Sequence, residues 1–155
     1  MTGKPIPKYH YRECGLDNVF VIGVKSMVDD DGELVVSIPK VNQLHKAISI
    51  DLVCKPAMLS GKEIRYLRTE MGMTQGELAE FIHRDHQTIG RWERGECPVE
   101  ATADTLLRLL AIEKLRLPLK ARVQEISRRS VECATSELIE IDGRDPGKCR
   151  PLKAA

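Results

Sequence analysis

His86, Gln87, Thr88 and Arg91 are the side chains of this sequence with the most pointed chemistry, and all four fall in one short segment, His-Gln-Thr-Ile-Gly-Arg-Trp-Glu-Arg, at residues 86–94. Read as a helix, the segment puts Ile89 and Trp92, three apart, on one face and turns the four polar residues elsewhere. A helix anchored by an apolar pair and showing His, Gln, Thr and Arg to solvent can read base edges. Arg suits guanine, Gln suits adenine, and Thr suits a thymine methyl or a phosphate. The bland alternative is a helix that only packs, but an exposed Gln-Thr pair beside Arg91 has little packing purpose.

Such a helix needs neighbours that hold it. Upstream, Thr74 and Glu77 have the spacing of a capping box, and Leu78, Ala79, Phe81 and Ile82 give the helix they open an apolar face. Asp85 can N-cap the base-reading helix, and Gly95 suits its C′ position. Ser60 and Glu63 form a second potential capping box, before a helix whose stripe is Ile64, Leu67 and Met71 and which Gly72 ends. After Cys97-Pro98, residues 101–115 carry Leu106, Leu107, Leu109, Leu110 and Ile112, an apolar excess that would serve a second copy of the chain or the N-terminal segment equally well. Pro118 breaks the pattern. Residues 119–129, with Lys120, Arg122, Arg128 and Arg129, form a basic helix candidate, a solvated face or else an extra phosphate contact.

Leu67-Arg68, Gly72-Met-Thr-Gln75, Leu78-Ala79, Gln87-Thr88-Ile89 and Arg91-Trp-Glu-Arg-Gly95 together resemble the helix-turn-helix of the Cro/repressor (XRE) family, over residues 59–117. The resemblance implies that His86, Gln87, Thr88 and Arg91 face the major groove of double-stranded DNA. It implies phosphate contacts from Thr74 and Gln75 at a helix N-terminus, with Arg84 and Arg94 beside them, and an internal structural pair between Arg68 and Glu93. The sequence departs from the family at the turn, where His83 and Arg84 replace the usual Gly and apolar residue. Gly90 is a second departure, since Gly inside a helix costs about 1 kcal/mol against Ala. It would let the backbone approach DNA, or merely be a small residue at an undemanding position.

The N-terminal third reads differently. Residues 1–8 hold Gly, Pro and Lys and are expected to be a loose arm. Val19-Phe-Val-Ile-Gly-Val24 and Glu33-Leu-Val-Val-Ser-Ile38, separated by Asp29-Asp-Asp-Gly32, predict an antiparallel hairpin, which must pack on something to be stable. Its partner is the amphipathic run Val41, Leu44, Ala47, Ile48 and Leu52, a helix with Pro39 at its start and Lys55-Pro56 at its end. The order of a small β unit, a helix and an XRE domain is similar to antitoxins of the MqsA/YgiT type. Tyr11-Arg-Glu-Cys-Gly-Leu-Asp-Asn-Val19 and Leu44-His-Lys-Ala-Ile48 also resemble an uncharacterised group of bacterial regulators. In the MqsA type the unit binds zinc through two Cys-x-x-Cys pairs, whereas this chain has single cysteines, Cys14 and Cys54, so the metal site is not carried over. His10, Cys14, His45 and Cys54 formally supply a two-His, two-Cys set. Their spacing matches no established motif, and the reading adopted is no metal and no cofactor, with the thiols as small core residues.

With 42% apolar and 30% charged residues among 155, the composition is that of an ordinary soluble protein of one domain or two small ones. The net charge of +1 gives no strong nucleic-acid footprint for the whole chain, and the surplus is local, about +3 over residues 97–130. Modest non-specific DNA affinity follows. No apolar run approaches the roughly 20 residues of a membrane span, no signal peptide is recognisable, and five scattered cysteines suit reduced thiols, so a cytoplasmic protein is expected. No phosphate-cradling loop, nucleophile elbow or metalloprotease His-Glu motif appears, and an enzyme is not expected.

The predicted fold is thus α+β: a small unit of hairpin plus helix at residues 1–58, an all-α five-helix DNA-binding domain at 59–129, and a flexible tail at 130–155. The predicted function is a DNA-binding transcriptional regulator, a repressor acting as a homodimer on a palindrome. An antitoxin whose N-terminal unit blocks a toxin partner is the alternative. A ligand sensor is a third reading, for which the sequence shows no pocket.

Overall fold

Runs of β-branched residues build the sheet of this protein, and capped amphipathic runs build its helices. The computed structural model describes residues 5–38, 40–120, 123–131, 138–145 and 147–152. The elements in order are β1 (Pro5–His10), β2 (Val19–Val28), β3 (Leu34–Ser37), α1 (Val41–Cys54), α2 (Gly61–Glu70), α3 (Gln75–Ile82), α4 (His86–Glu93), α5 (Ala101–Lys114), α6 (Val123–Ser127), β4 (Ile139–Asp142) and β5 (Arg150–Pro151). The fold is α+β. It divides into two compact units, residues 1–48 with 137–155, and residues 49–136, the division falling within α1.

In the first unit β2 is the central strand. β1 lies antiparallel along one edge, from Pro5↔Lys25 to His10↔Phe20. The opposite edge carries two strands in turn: β4, parallel, beside residues 19–22, and β3, antiparallel, beside residues 25–28. β5 pairs with the far side of β4. Val19 and Val21 point to one face by the two-residue period of a strand, in register with Ile139 and Ile141, and all four are buried. Leu44, Ala47 and Ile48 of α1 are buried too, whereas Val41, expected on the same stripe, is 51% exposed. The buried Tyr11 places its hydroxyl 2.9 Å from Nε2 of His45.

Two expectations for this unit give way. The supposed loose arm is β1 from Pro5 onward, because the edge of β2 supplies its backbone with partners. The supposed flexible tail contains β4 and β5. A four-residue strand has no stability of its own, and the partner that stabilises β4 lies more than a hundred residues upstream, beyond the reach of any local pattern. Pro39, read as a helix start, lies outside the described residues, as does Arg122 of the basic helix candidate, of which α6 is the helical part observed.

The second unit is built from α2 to α6 with the last turns of α1. α4 packs on α2 and α3, and α5 packs on α2, α3 and α6. Ile64, Leu67, Leu78, Ile89 and Leu107 form its driest core. Phe81 is not part of it. The buried face of α3 is Leu78, Ala79 and Ile82, which leaves Phe81 rotated outward and 41% exposed. Arg108 is fully buried in the middle of the leucine-rich helix. Its guanidinium donates to the carbonyls of Val53, Lys55 and Ala57, and its Nε lies 2.9 Å from Oδ2 of Asp104. Asp104 in turn accepts from the Leu59 amide at 2.8 Å and the Ser130 hydroxyl at 2.5 Å. Burial pushes the Arg108 guanidinium below its ordinary value and Asp104 pulls it back. A buried charge persists only when paired in this way, and here the pairing fastens α5 to residues 53–59.

Candidate nucleic-acid interface

Short-range side-chain bonds set where each helix of the interface begins. Ser60 and Thr74 both close reciprocal capping boxes, with Glu63 and Glu77 reaching back to the cap amides. Asp85 Oδ1 accepts from the Gln87 amide at 2.8 Å. The turn between α3 and α4 is made by His83, which adopts the left-handed conformation at φ 59°, ψ 46°. The Arg84 amide reaches back to the Ala79 carbonyl and the His83 amide to Glu80, the bonding of a Schellman motif. Glycine is the usual occupant of that site, so His83 holds the turn against a local preference.

α4 is fixed from behind by Ile89 and Trp92, which are 0% and 3% exposed. On its outer side His86, Gln87 and Arg91 are exposed and Thr88 is half-buried. None of these four side chains makes a hydrogen bond or ion pair among the described residues. The structure thus places three exposed side chains and the half-buried Thr88 on one short helix pinned from behind.

The supporting residues are busier. Arg68 clamps Glu93 through Nε at 2.6 Å and Nη2 at 3.1 Å, and donates a third bond to the Met73 carbonyl. Gln75 Nε2 donates to the same Glu93 carboxylate at 2.8 Å. Arg68, Glu93 and Gln75 therefore form one network that sets α3 against α4, a role for Gln75 that its position in the sequence does not disclose. Thr74 Oγ1 accepts the Glu77 amide, and hydrogen bonds from Thr74 hold the Glu77 carboxyl below its ordinary value. Arg84 pairs with Glu100, and Arg94 with Glu96 at 2.7 Å. These acids raise both arginines above their ordinary values, and Arg94 lowers Glu96. Both pairs are open to water, where such bonds hold weakly, so exchanging a carboxylate for a phosphate is undemanding.

Two glycines explain the tightness of the packing. A Cβ on Gly61 would fall 2.2 Å from the Trp92 carbonyl oxygen and 2.8 Å from that of Glu93, so only glycine lets the start of α2 meet the end of α4. Nothing in the sequence around Gly61 announces this. Gly90 is buried, and a Cβ there would meet Arg94 Nη1 at 3.0 Å and Gln75 Oε1 at 3.7 Å. It faces protein, which argues against a role in close approach to DNA.

His10, Cys14 and His45, three of the four candidate zinc residues, have partners within the protein. His10 accepts from Arg12 Nε on Nδ1 and donates from Nε2 to the Asp17 carbonyl, while its ring stacks on Phe20. His45 Nε2 meets Tyr11, and the Cys14 thiol points to the Tyr11 carbonyl. Cys54 is a half-buried free thiol. Among the described residues no three His, Cys, Asp or Glu side chains are grouped to hold a metal ion.

Residues 64–112 match the family model described as Helix-turn-helix, a segment that runs from α2 into α5 and contains the whole row on α4. No curated protein and no solved structure matches the chain, so the antitoxin-like reading of the first unit gains no support from them. Among the described residues no helix is long and apolar enough to cross a membrane.

Proposed function

We propose, from the helix-turn-helix match over residues 64–112, that this chain is a sequence-specific DNA-binding transcriptional regulator, a cytoplasmic repressor acting as a homodimer without a cofactor. The observation that carries the reading is the row of His86, Gln87, Thr88 and Arg91, free of side-chain partners on a helix pinned by Ile89 and Trp92. In this reading α4 lies in the major groove with Gln87 and Arg91 on base edges. Thr74, Arg84 and Arg94 meet phosphates, and Gln75 holds the frame as well as touching the backbone. Two copies related by a two-fold axis would place two such helices on half-sites about 34 Å apart.

The test is binding to the DNA just upstream of the coding region, in a salt series. Tight binding with a clear footprint is expected. Gln87→Ala and Arg91→Ala should each cost about 1–3 kcal/mol on the true site and relax its sequence preference. If both variants keep full affinity and selectivity, α4 does not read sequence.

The antitoxin alternative has one observation in its favour. The two segments that resemble the bacterial regulator group, around Tyr11 and around His45, meet through the 2.9 Å Tyr11–His45 contact, with Tyr11 buried and His45 half-buried, so they belong to one part of the first unit. Capture of a small toxin encoded beside this chain, lost on Tyr11→Phe with His45→Ala, would favour that reading.

A further inference from the structure

β2 changes partner part-way along one edge. β4 runs beside residues 19–22 and ends, the Gly143 amide bonding back to the Ile22 carbonyl at 2.9 Å. β3 takes up the same edge only at Lys25, opposite Ser37. Gly23 and Val24 face neither strand, and the two neighbours diverge there. Gly23 sits at φ +74°, and a Cβ on it would fall 2.5 Å from Cγ of Arg144, so its lack of a side chain is what lets the Arg144 stem lie in the fork. Glycine inside a strand marks a bulge or a close approach.

The fork opens into a cavity of about 230 Å³ whose polar wall is Lys25, Ser37, Lys40 and Arg144, with Gly23 and Gly143 as bare backbone. Among the described residues no acidic side chain lines it. Arg144 is bound to Asp142 through Nε at 2.9 Å and Nη2 at 2.8 Å, which neutralises it and fixes its direction. Lys25 and Lys40 have no carboxylate partner among the described residues. Lys40 immediately precedes α1, accepting the Leu44 amide, and the first turn of α1 holds no acid to balance its positive end. Lys25, Ser37 and Lys40, with the bare backbone of Gly23 and Gly143, line a space smaller than the roughly 300–1,000 Å³ that drug-sized ligands fill, and Lys40 stands one residue before α1. An anion with several oxygens and few other atoms suits both the charge and the volume.

We propose that the fork of the sheet binds a phosphate-like oxyanion, held by Lys25 and Lys40 with Ser37 donating a hydrogen bond. The group is supplied by free phosphate or a small phosphorylated ligand, and a DNA phosphate is the other source of the same chemistry. The site lies apart in sequence from the base-reading row, so it stands or falls independently of α4.

The experiment titrates the full chain with inorganic phosphate at constant ionic strength, following the amide signals of Gly23 and Gly143. The Lys25→Gln, Lys40→Gln double variant is run beside it. Both lysines are exposed, so the variant should match the parent in thermal stability without phosphate. The expected result is saturable shifts in the parent, with affinity reduced at least tenfold in the double variant and severalfold in Ser37→Ala. A second arm compares parent and double variant on duplex DNA. No saturable phosphate binding, but a uniform loss of duplex affinity across sequences in the variant, would keep the oxyanion site and make DNA its source. Shifts that never saturate and are equal in both proteins, together with unchanged duplex binding, would overturn the proposal.

Discussion

Helices α2, α3 and α4 each begin on a residue that accepts from a backbone amide two or three positions further on: Ser60 from Glu63, Thr74 from Glu77, Asp85 from Gln87. The central strand of the sheet is held otherwise. β2 takes β1 from the residues just before it, β3 from just after it, and β4 from the far end of the chain. The helical region therefore owes its element boundaries to local bonds and calls on distant residues only for its core. The sheet owes β4 to a partner more than a hundred residues away. A local defect in the first region should remain a matter of packing or capping, while loss of one distant strand in the second removes an edge of the sheet.

Trp92→Ala gives the largest expected effect, a loss of about 3–5 kcal/mol in chemical denaturation, because the buried indole is the wedge behind α4. A variant of undiminished stability would remove Trp92 from the core. Ile141→Ala is the sheet's counterpart, at about 2–5 kcal/mol, since Ile141 is fully buried in β4. Amide exchange should then quicken across β1, β2 and β4. An equal loss of protection in α3 and α4 would dissolve the contrast, for the two regions would be one cooperative body. Gly61→Ala should cost about 1–3 kcal/mol despite the better helix propensity of alanine, because the clash is with the backbone oxygens of Trp92 and Glu93. A neutral result by denaturation would show that α2 can move away from α4. His83→Gly should do the reverse and stabilise by about 0.5–1 kcal/mol, the relief of a left-handed non-glycine residue less the entropy of a freer unfolded chain. An unchanged or lower melting temperature would mean that His83 makes compensating contacts.

A pH-dependent effect belongs to Asp142, whose carboxyl is held at about 2 against an ordinary 3.8, mainly by the hydrogen bond from Arg144, with burial opposing. The folded value is the lower one, so the unfolded chain binds more protons between the two. The contribution is complete above about pH 4 and is lost as pH falls through about 2. Asp142→Asn should flatten the stability of the sheet across that window, as read by exchange of β4 amides. A slope identical to the parent's would place the acid sensitivity elsewhere.

The helix-turn-helix was legible because its signals are short-range. Capping pairs, the Ile89 and Trp92 spacing and the terminal Gly95 all operate within a turn or two. What escaped notice there depended on three dimensions: the outward turn of Phe81, the backbone approach at Gly61, and the capture of Gln75 by Glu93. Arg108 offered a faint signal, a lone cation among leucines with Asp104 one turn before it, the mark of a buried ion pair. In the sheet, the apolar run of β2 was readable and β3 followed from the Asp-rich turn. β1 looked like an arm because Pro and Lys interrupt it. β4 looked like tail because four residues give no period to recognise. The cationic fork was invisible for the same reason, since Lys25, Lys40 and Arg144 become neighbours only when β4 is in place.

Because β4 follows the whole helical segment, a ribosome completes β1 to β3 about a hundred residues before it makes the strand that pairs with residues 19–22. At about 5–20 residues per second that interval lasts about 5–20 s. Throughout it Val19, Phe20, Val21 and Ile22 present an unpaired apolar edge on the nascent chain, the kind of surface that recruits chaperones or other open strands. A product cut short after α6 would contain the whole of α4 and still carry that bare edge.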